Sequence, residues 1–151
     1  ILLCAAIVRA SIFLAWYLGE KKMCHMVKVK TNYNTEIEVA DIKKDVIENI
    51  IDAAGICEKI CQIILFGSVI ETRCTEESDI DMVVVSNVTR SRLYKDKSYQ
   101  EFLRKLHDED GYDQMYDVIC VHGMEEIYQK QNVTKLFRDV IENGRTLYRR
   151  R

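Results

Sequence analysis

The residues best suited to chemistry lie between residues 63 and 86, in the segment IILFGSVIETRCTEESDIDMVVVS. Gly67 and Ser68 end one apolar run, and ten residues further on an Asp-x-Asp pair, Asp79 and Asp81, begins the next. Side chains alternate between faces along a strand, so both aspartates project to the same side. The spacing predicts two carboxylates aimed at one point beside a glycine-containing turn.

Two carboxylates this close repel each other unless a cation lies between them. Mg²⁺, which prefers oxygen ligands, would meet that need. Gly67 lets the backbone approach a ligand without a Cβ, and Ser68 offers a hydroxyl and an N–H suited to phosphate oxygens. The segment therefore predicts a metal site on Asp79 and Asp81 next to a phosphate site on Gly67 and Ser68.

A third carboxylate is expected on a neighbouring strand. Asp117 lies within the apolar run QMYDVICV, where burial of an unpaired aspartate would be costly. Asp113 competes for the role, but it follows Gly111-Tyr112 and is typical of a turn. We therefore predict that Asp117 is buried and completes the site. A solvated strand edge or a helix cap is the commoner use of an isolated Asp-x-Asp pair, and the combined pattern argues against both.

Hydrophobic spacing predicts the elements that position these residues. Gly55 and Asn143-Gly144 are expected to end helices. The order of elements predicts an α/β or α+β fold in which helices pack on a small mixed β-sheet. The predicted helices are 41–54, 93–106, 124–128 and 133–141, and the predicted strands are 62–66, 79–86, 114–121 and 146–148.

Composition limits the classes of function. A chain of 151 residues has the size of one domain, and its 22 basic and 24 acidic side chains give a net charge of −2. Nucleic acid is therefore not an expected partner. The six cysteines are scattered through apolar stretches and complete no zinc pattern, so we expect reduced thiols in a cytoplasmic protein.

The N-terminal residues differ from the rest of the chain in their apolar composition. Residues 1–18 are almost wholly apolar and are followed by lysines, which is typical of a membrane anchor with a basic flank. Arg9 within the segment equally allows a helix that contacts a partner, or a false upstream extension. We divide the chain into this apolar segment, residues 1–26, and a domain over residues 27–151.

The pattern of Gly-Ser, ten residues and Asp-x-Asp resembles the nucleotidyltransferase superfamily that includes DNA polymerase β, and most closely the minimal nucleotidyltransferases. The resemblance extends over about residues 41–148. It implies the nucleotidyltransferase fold and a two-metal phosphoryl transfer, in which Asp79 and Asp81 hold Mg²⁺ with the triphosphate. Asp117 would help to hold the second ion and act as the base, and ATP is the expected donor.

The same resemblance implies a partner. Minimal nucleotidyltransferases often occur as antitoxins beside HEPN-domain toxins, and some transfer AMP to a tyrosine of the toxin. Small-molecule relatives of the aminoglycoside-modifying kind usually add a helical domain, which makes that activity a second alternative here.

A non-catalytic antitoxin or binding module of the same fold is the first alternative. Many relatives continue after Gly-Ser with a small or basic residue and then Ala-Arg-Gly, whereas this chain has Val69-Ile70-Glu71-Thr72, in which an acid replaces the arginine. Glu71 would repel a triphosphate if it pointed inward. Arg73, two positions on, could compensate.

Overall fold

The computed structural model describes residues 23–109 and 113–151, which form both strands and helices. The observed elements confirm the α/β class. In chain order they are β1 (Met26–Lys30), β2 (Glu36–Ala40), α1 (Lys44–Ala54), β3 (Ile60–Phe66), β4 (Ile80–Ser86), α2 (Arg90–Lys95), α3 (Lys97–Glu109), β5 (Tyr116–His122), α4 (Met124–Lys130), α5 (Lys135–Asn143) and β6 (Arg145–Arg149).

The predicted mixed sheet is present. Within the described residues it has four strands in the order β5-β4-β3-β6, with β5 and β6 at the two edges. Strand β3 runs antiparallel to both β4 and β6, whereas β4 and β5 are parallel. Strands β1 and β2 form a separate antiparallel pair. The beginnings of β4 and β5 therefore lie at the same end of the sheet as the end of β3.

Both faces of the sheet are covered, and the alternation along β4 shows how. Ile80, Met82 and Val84 belong to the larger core, together with residues of α1, α3 and the β1–β2 pair. Val83 and Val85 belong to a smaller core with residues of α4 and α5. Alternation places Asp81 on the same side as Val83, on the face that α4 and α5 cover.

The β1–β2 hairpin was not predicted. Its strands are short and carry charged residues, yet Ile37 and Val39 alternate with exposed glutamates, which is the period of a half-buried strand. Asn34 in the connecting turn adopts a positive φ of 63°. The signal was present in the sequence, and the hairpin contributes Val29 and both of these apolar residues to the larger core.

The predicted helix over 41–54 begins later than expected. Residues Asp41–Lys43 form a 3₁₀ turn, and the α-helix starts at Lys44 and ends before Gly55. The tighter turn changes the direction of the side chains. Ile42, which the helical pattern placed in the core, is 42% exposed, whereas Lys43 is only 3% exposed.

The single helix predicted over 93–106 is two helices. Helix α2 ends at Lys95, and Asp96 begins α3 by accepting hydrogen bonds at Oδ1 from the backbone N–H groups of Ser98 (2.8 Å) and Tyr99 (3.3 Å). Aspartate is a favourable residue at the start of a helix because it satisfies these N–H groups. The break at Asp96 was not predicted, because the spacing of apolar residues on both sides of it fits one continuous amphipathic helix.

The five cysteines in the described part of the chain are free, and four of them are buried: Cys24, Cys57, Cys74 and Cys120. Cys4 and the apolar segment 1–18 lie outside the described residues. In residues 23–109 and 113–151, no helix combines the length and apolar character needed to cross a bilayer.

Candidate active site

The sheet brings the predicted residues together at one end. Because β3 and β4 are antiparallel, Phe66 at the end of β3 pairs with Asp81 at the start of β4. Because β4 and β5 are parallel, Asp81 also lies directly opposite Asp117. Gly67 follows Phe66 at once, and Asp79 precedes β4 by one residue. Topology thus places the turn and the three aspartates on one end of the sheet.

The electrostatics of Asp81 reflect this crowding. Asp81 is half-buried, and desolvation is the largest influence that raises its pKa above that of an ordinary aspartate. The charges of Asp117 and then Asp79 raise the pKa further, and Arg73 opposes them. The carboxylates are therefore close enough to repel one another, which is the environment that a bound cation would relieve.

The prediction that Asp117 is buried was wrong. Its side chain is exposed, because β5 is an edge strand of the described sheet and Asp117 lies close to its beginning. Its strand position opposite Asp81 agrees with the prediction, whereas Asp113 lies before β5 and is also exposed. The apolar run around Asp117 correctly predicted that this residue lies in a strand, but it did not predict that the side chain is exposed.

Gly67 is required at its position for two physical reasons. Its φ of 71° lies in the left-handed region that other residues adopt with difficulty. A Cβ on Gly67 would lie 2.3 Å from Oδ2 of Asp81, far inside van der Waals contact. The backbone of the turn therefore packs directly against the Asp81 carboxylate.

The turn after Gly67 accommodates the unusual sequence of this chain. Residues Gly67–Ile70 form a 3₁₀ turn, with Ser68 half-buried and Val69 fully buried in the larger core. Glu71 and Arg73 are exposed and form an ion pair with each other. Glu71 raises the pKa of Arg73, and the charges of Asp81 and Asp139 add to this. Arg73 therefore lies within electrostatic range of the carboxylates while Glu71 engages its guanidinium.

The donor set fits a hard cation. Asp79, Asp81 and Asp117 supply carboxylate oxygens, and Gly67 leaves space that a Cβ would fill beside one of them. In the described ranges, no three His, Cys, Asp or Glu side chains are grouped closely enough to hold a metal ion as they stand. Asp81 and Asp117 are paired by strand register, whereas Asp79 is in the connecting segment outside β4.

Sequence reasoning missed two residues that support this end of the sheet. Lys43 lies on the polar side of the helix predicted over 41–54, and Gln114 begins the strand predicted over 114–121. In the structure both side chains are buried. Nζ of Lys43 donates to Oε1 of Gln114 over 2.6 Å. No sequence signal marks Lys43, because it fits the polar side of a regular helix and is buried only because residues 41–43 form a 3₁₀ turn.

A comparison with protein-family models agrees with the fold. The family model described as "Polymerase beta, Nucleotidyltransferase" matches residues 48–151, which is more than half of the chain. Among solved structures, the chain is similar to a mutant of the toxin-antitoxin MntA-HpeT, with 19% identity and a TM-score of 0.45, over 70% of this chain and 74% of that one. The search of curated proteins found no match.

Proposed function

The chain belongs to the polymerase beta nucleotidyltransferase family, and on that premise we propose that it transfers AMP from ATP to a hydroxyl group of a partner protein. We assign the activity to a domain over residues 27–151, apart from the apolar segment 1–26. The observation that carries the proposal is the register of Asp81 against Asp117, with Gly67 packed on the Asp81 carboxylate.

Each residue has a distinct task in the proposed reaction. Asp79 and Asp81 would hold Mg²⁺ together with the triphosphate, and Asp117 would help to hold a second ion. Bound there, Mg²⁺ would stabilise the charge that develops on the α-phosphate. The N–H and hydroxyl of Ser68 bind phosphate oxygens at the turn. The exposure of Asp117 supports its role as the base, because an acceptor hydroxyl can reach it from solvent.

The bonds and protons of the transfer balance without a further reactant. The acceptor oxygen loses its proton to Asp117 and forms a bond to the α-phosphorus of ATP. The bond from that phosphorus to the bridging oxygen breaks, and pyrophosphate leaves. The products are the adenylylated acceptor and pyrophosphate.

We propose a HEPN-domain toxin as the partner, with this chain as its antitoxin, in the cytoplasm. The resemblance to minimal nucleotidyltransferases supports this partner, and the free thiols of the described residues are consistent with a reducing compartment. The net charge of −2 gives no support to nucleic acid as the acceptor.

The test combines the purified chain with labelled ATP, Mg²⁺ and the protein encoded beside it. We expect the wild type to label that protein, and the double variant Asp79→Asn, Asp81→Asn to leave it unlabelled while still folded. A wild type that binds the neighbouring protein but labels nothing would contradict the transferase proposal.

A second candidate function, binding without transfer, is favoured by the Glu71–Arg73 pair. Arg73 is a cation within range of Asp81, and its engagement by Glu71 reduces its availability to a triphosphate. Glu71→Gln releases it, so an active enzyme should bind ATP up to about fivefold more tightly in this variant, the size of an exposed ion pair. Arg73→Gln should weaken ATP binding. No ATP binding by either variant or by the wild type would favour the binding module.

A further inference from the structure

Lys43 is a buried cation beneath the carboxylate site. It is 3% exposed, and it is the charged member of the small set of buried polar side chains in the described residues, which otherwise contains Thr31, Ser86 and Gln114. A buried ammonium is costly, and an apolar side chain of similar length would fill the space without that cost. Its position therefore calls for a contribution other than packing.

The hydrogen bonds of Lys43 reach the segment before Asp79. Nζ donates to the carbonyl oxygen of Glu76 over 2.7 Å and to Oε1 of Gln114 over 2.6 Å. Gln114 in turn donates from Nε2 to the carbonyl oxygen of Ser78 over 3.1 Å. Lys43 and Gln114 thus hold the backbone carbonyl groups of Glu76 and Ser78, and Ser78 immediately precedes Asp79. This segment lies before β4 and, within the described residues, has no strand partner.

The same network reaches the beginning of β5. Nε2 of Gln114 also donates to the carbonyl oxygen of Met115 over 2.7 Å, and that oxygen accepts the N–H of Ile80 over 3.0 Å. Met115 lies two residues before Asp117, and Ile80 lies between Asp79 and Asp81. One set of bonds therefore ties together the two chain segments that carry all three carboxylates.

The charge of Lys43 adds to this geometry. Burial lowers the pKa of Lys43, and the neighbouring charges that oppose the decrease include Asp79. A buried ammonium on this side of the site attracts the carboxylates and offsets part of their mutual repulsion. The network therefore supports the site both sterically and electrostatically.

We propose that Lys43 and Gln114 are positioning residues, which hold the Ser78–Asp79 and Met115–Asp117 segments against each other, so that the three carboxylates need only side-chain movement to bind a divalent cation. The inference rests on the proposed function, because it takes the three aspartates as the metal ligands. Groups that orient metal ligands typically change metal affinity 10- to 100-fold when they are removed.

The test measures Mn²⁺ binding by electron paramagnetic resonance, with urea unfolding of the same samples. Lys43→Met removes the ammonium, and the double variant Lys43→Met, Gln114→Met also removes the amide that would be left without its donor. Lys43→Arg keeps a buried cation. The matched control is Ser86→Ala, which removes a buried hydroxyl at the opposite end of β4, where it donates to the carbonyl of Val88.

We expect Lys43→Met and the double variant to bind Mn²⁺ about 10-fold or more weakly, Lys43→Arg to recover part of the affinity, and Ser86→Ala to match the wild type. Gln114→Met provides the same readout if Lys43→Met does not fold. Wild-type affinity in a folded double variant would overturn this inference alone. A wild type that binds no Mn²⁺ would overturn the proposed metal site and this inference with it.

Discussion

At the scale of single residues, Gly67 and Asp81 are a pair in which one residue makes room for the other. Positive φ and the missing Cβ are separate requirements at Gly67, and Gly123 allows them to be separated experimentally. Gly123 has a φ of 78°, yet a Cβ there would have no neighbour within 4 Å. Both glycines therefore have a positive φ, and they differ in the carboxylate contact.

We predict that Gly67→Ala and Gly123→Ala both lower the free energy of unfolding, by about 1–3 kcal/mol each, the cost of placing alanine at a positive φ. Only Gly67→Ala should abolish Mn²⁺ binding, because the Asp81 carboxylate must rotate away from the new methyl group. Urea unfolding and metal titration measure the two effects. Equal metal affinity in the two variants would show that the Gly67–Asp81 contact does not shape the site.

The carboxylate of Asp81 is a proposed metal ligand, but in the metal-free protein its ionised form is expected to be destabilising. Desolvation and the neighbouring carboxylates raise its folded-state pKa, so the ionised form destabilises the metal-free protein above that pKa. Protonation relieves the penalty as the pH falls through the raised pKa. The cost is therefore complete above the raised pKa and declines as the pH falls from there towards the pKa of an ordinary aspartate.

We predict that Asp81→Asn raises the melting temperature of the metal-free protein by about 1–2 °C at neutral pH, allowing for solvent screening. The difference from the wild type should shrink as the pH falls. Asp113→Asn, at an exposed position before β5, is the control and should leave the melting temperature unchanged. A lower melting temperature for Asp81→Asn at neutral pH would contradict this reading of the site.

At the scale of elements, the junction between α5 and β6 fixes the edge of the sheet. A Cβ on Gly144 would lie 2.3 Å from the carbonyl oxygen of Val140 in α5 and 2.8 Å from Cγ2 of Ile64 in β3. At Gly55, after α1, a Cβ would lie 3.6 Å from the nearest atom, the carbonyl oxygen of Asp52, and the φ of −62° is ordinary. Only the first junction lacks space for a methyl group.

Gly144→Ala is therefore expected to lower the free energy of unfolding by about 1–3 kcal/mol, as overpacking does elsewhere. Gly55→Ala should be neutral or stabilising by up to about 1 kcal/mol, because alanine reduces the freedom of the unfolded chain. Chemical denaturation of both variants tests the comparison. A neutral Gly144→Ala would mean that α5 can move away from β3 without loss.

The elements also show what the sequence could and could not predict. The strands β3, β4 and β5 carry long apolar runs, so their existence, and with it the meeting of Gly67, Asp81 and Asp117, could be predicted. The 3₁₀ turn before α1 could not, because Lys43 fits the polar side of a regular helix and its burial depends on partners far along the chain. Gln114 is one such partner, 71 residues away.

At the scale of the whole molecule, the sheet accounts for the arrangement of the site. Antiparallel β3–β4 and parallel β4–β5 pairing bring three distant parts of the chain to one end of the sheet. The sequence motif predicted that the turn at Gly67 and the start of β4 lie together. The exposure of Asp117 follows from the position of β5 at the edge of the sheet, which composition and spacing did not predict. The departure at Val69 to Thr72 leaves this arrangement intact, since Val69 is buried in the core.

The central claim is that the carboxylates of β4 and β5 carry out nucleotidyl transfer, and Asp117 is the residue that tests it most directly. The measurement is the initial rate of AMP transfer from labelled ATP to the neighbouring protein by wild type, Asp117→Asn and Asp113→Asn. We predict a loss of about 100-fold or more for Asp117→Asn, as for removal of a general base, and the wild-type rate for Asp113→Asn. An active wild type whose rate survives Asp117→Asn would contradict the account.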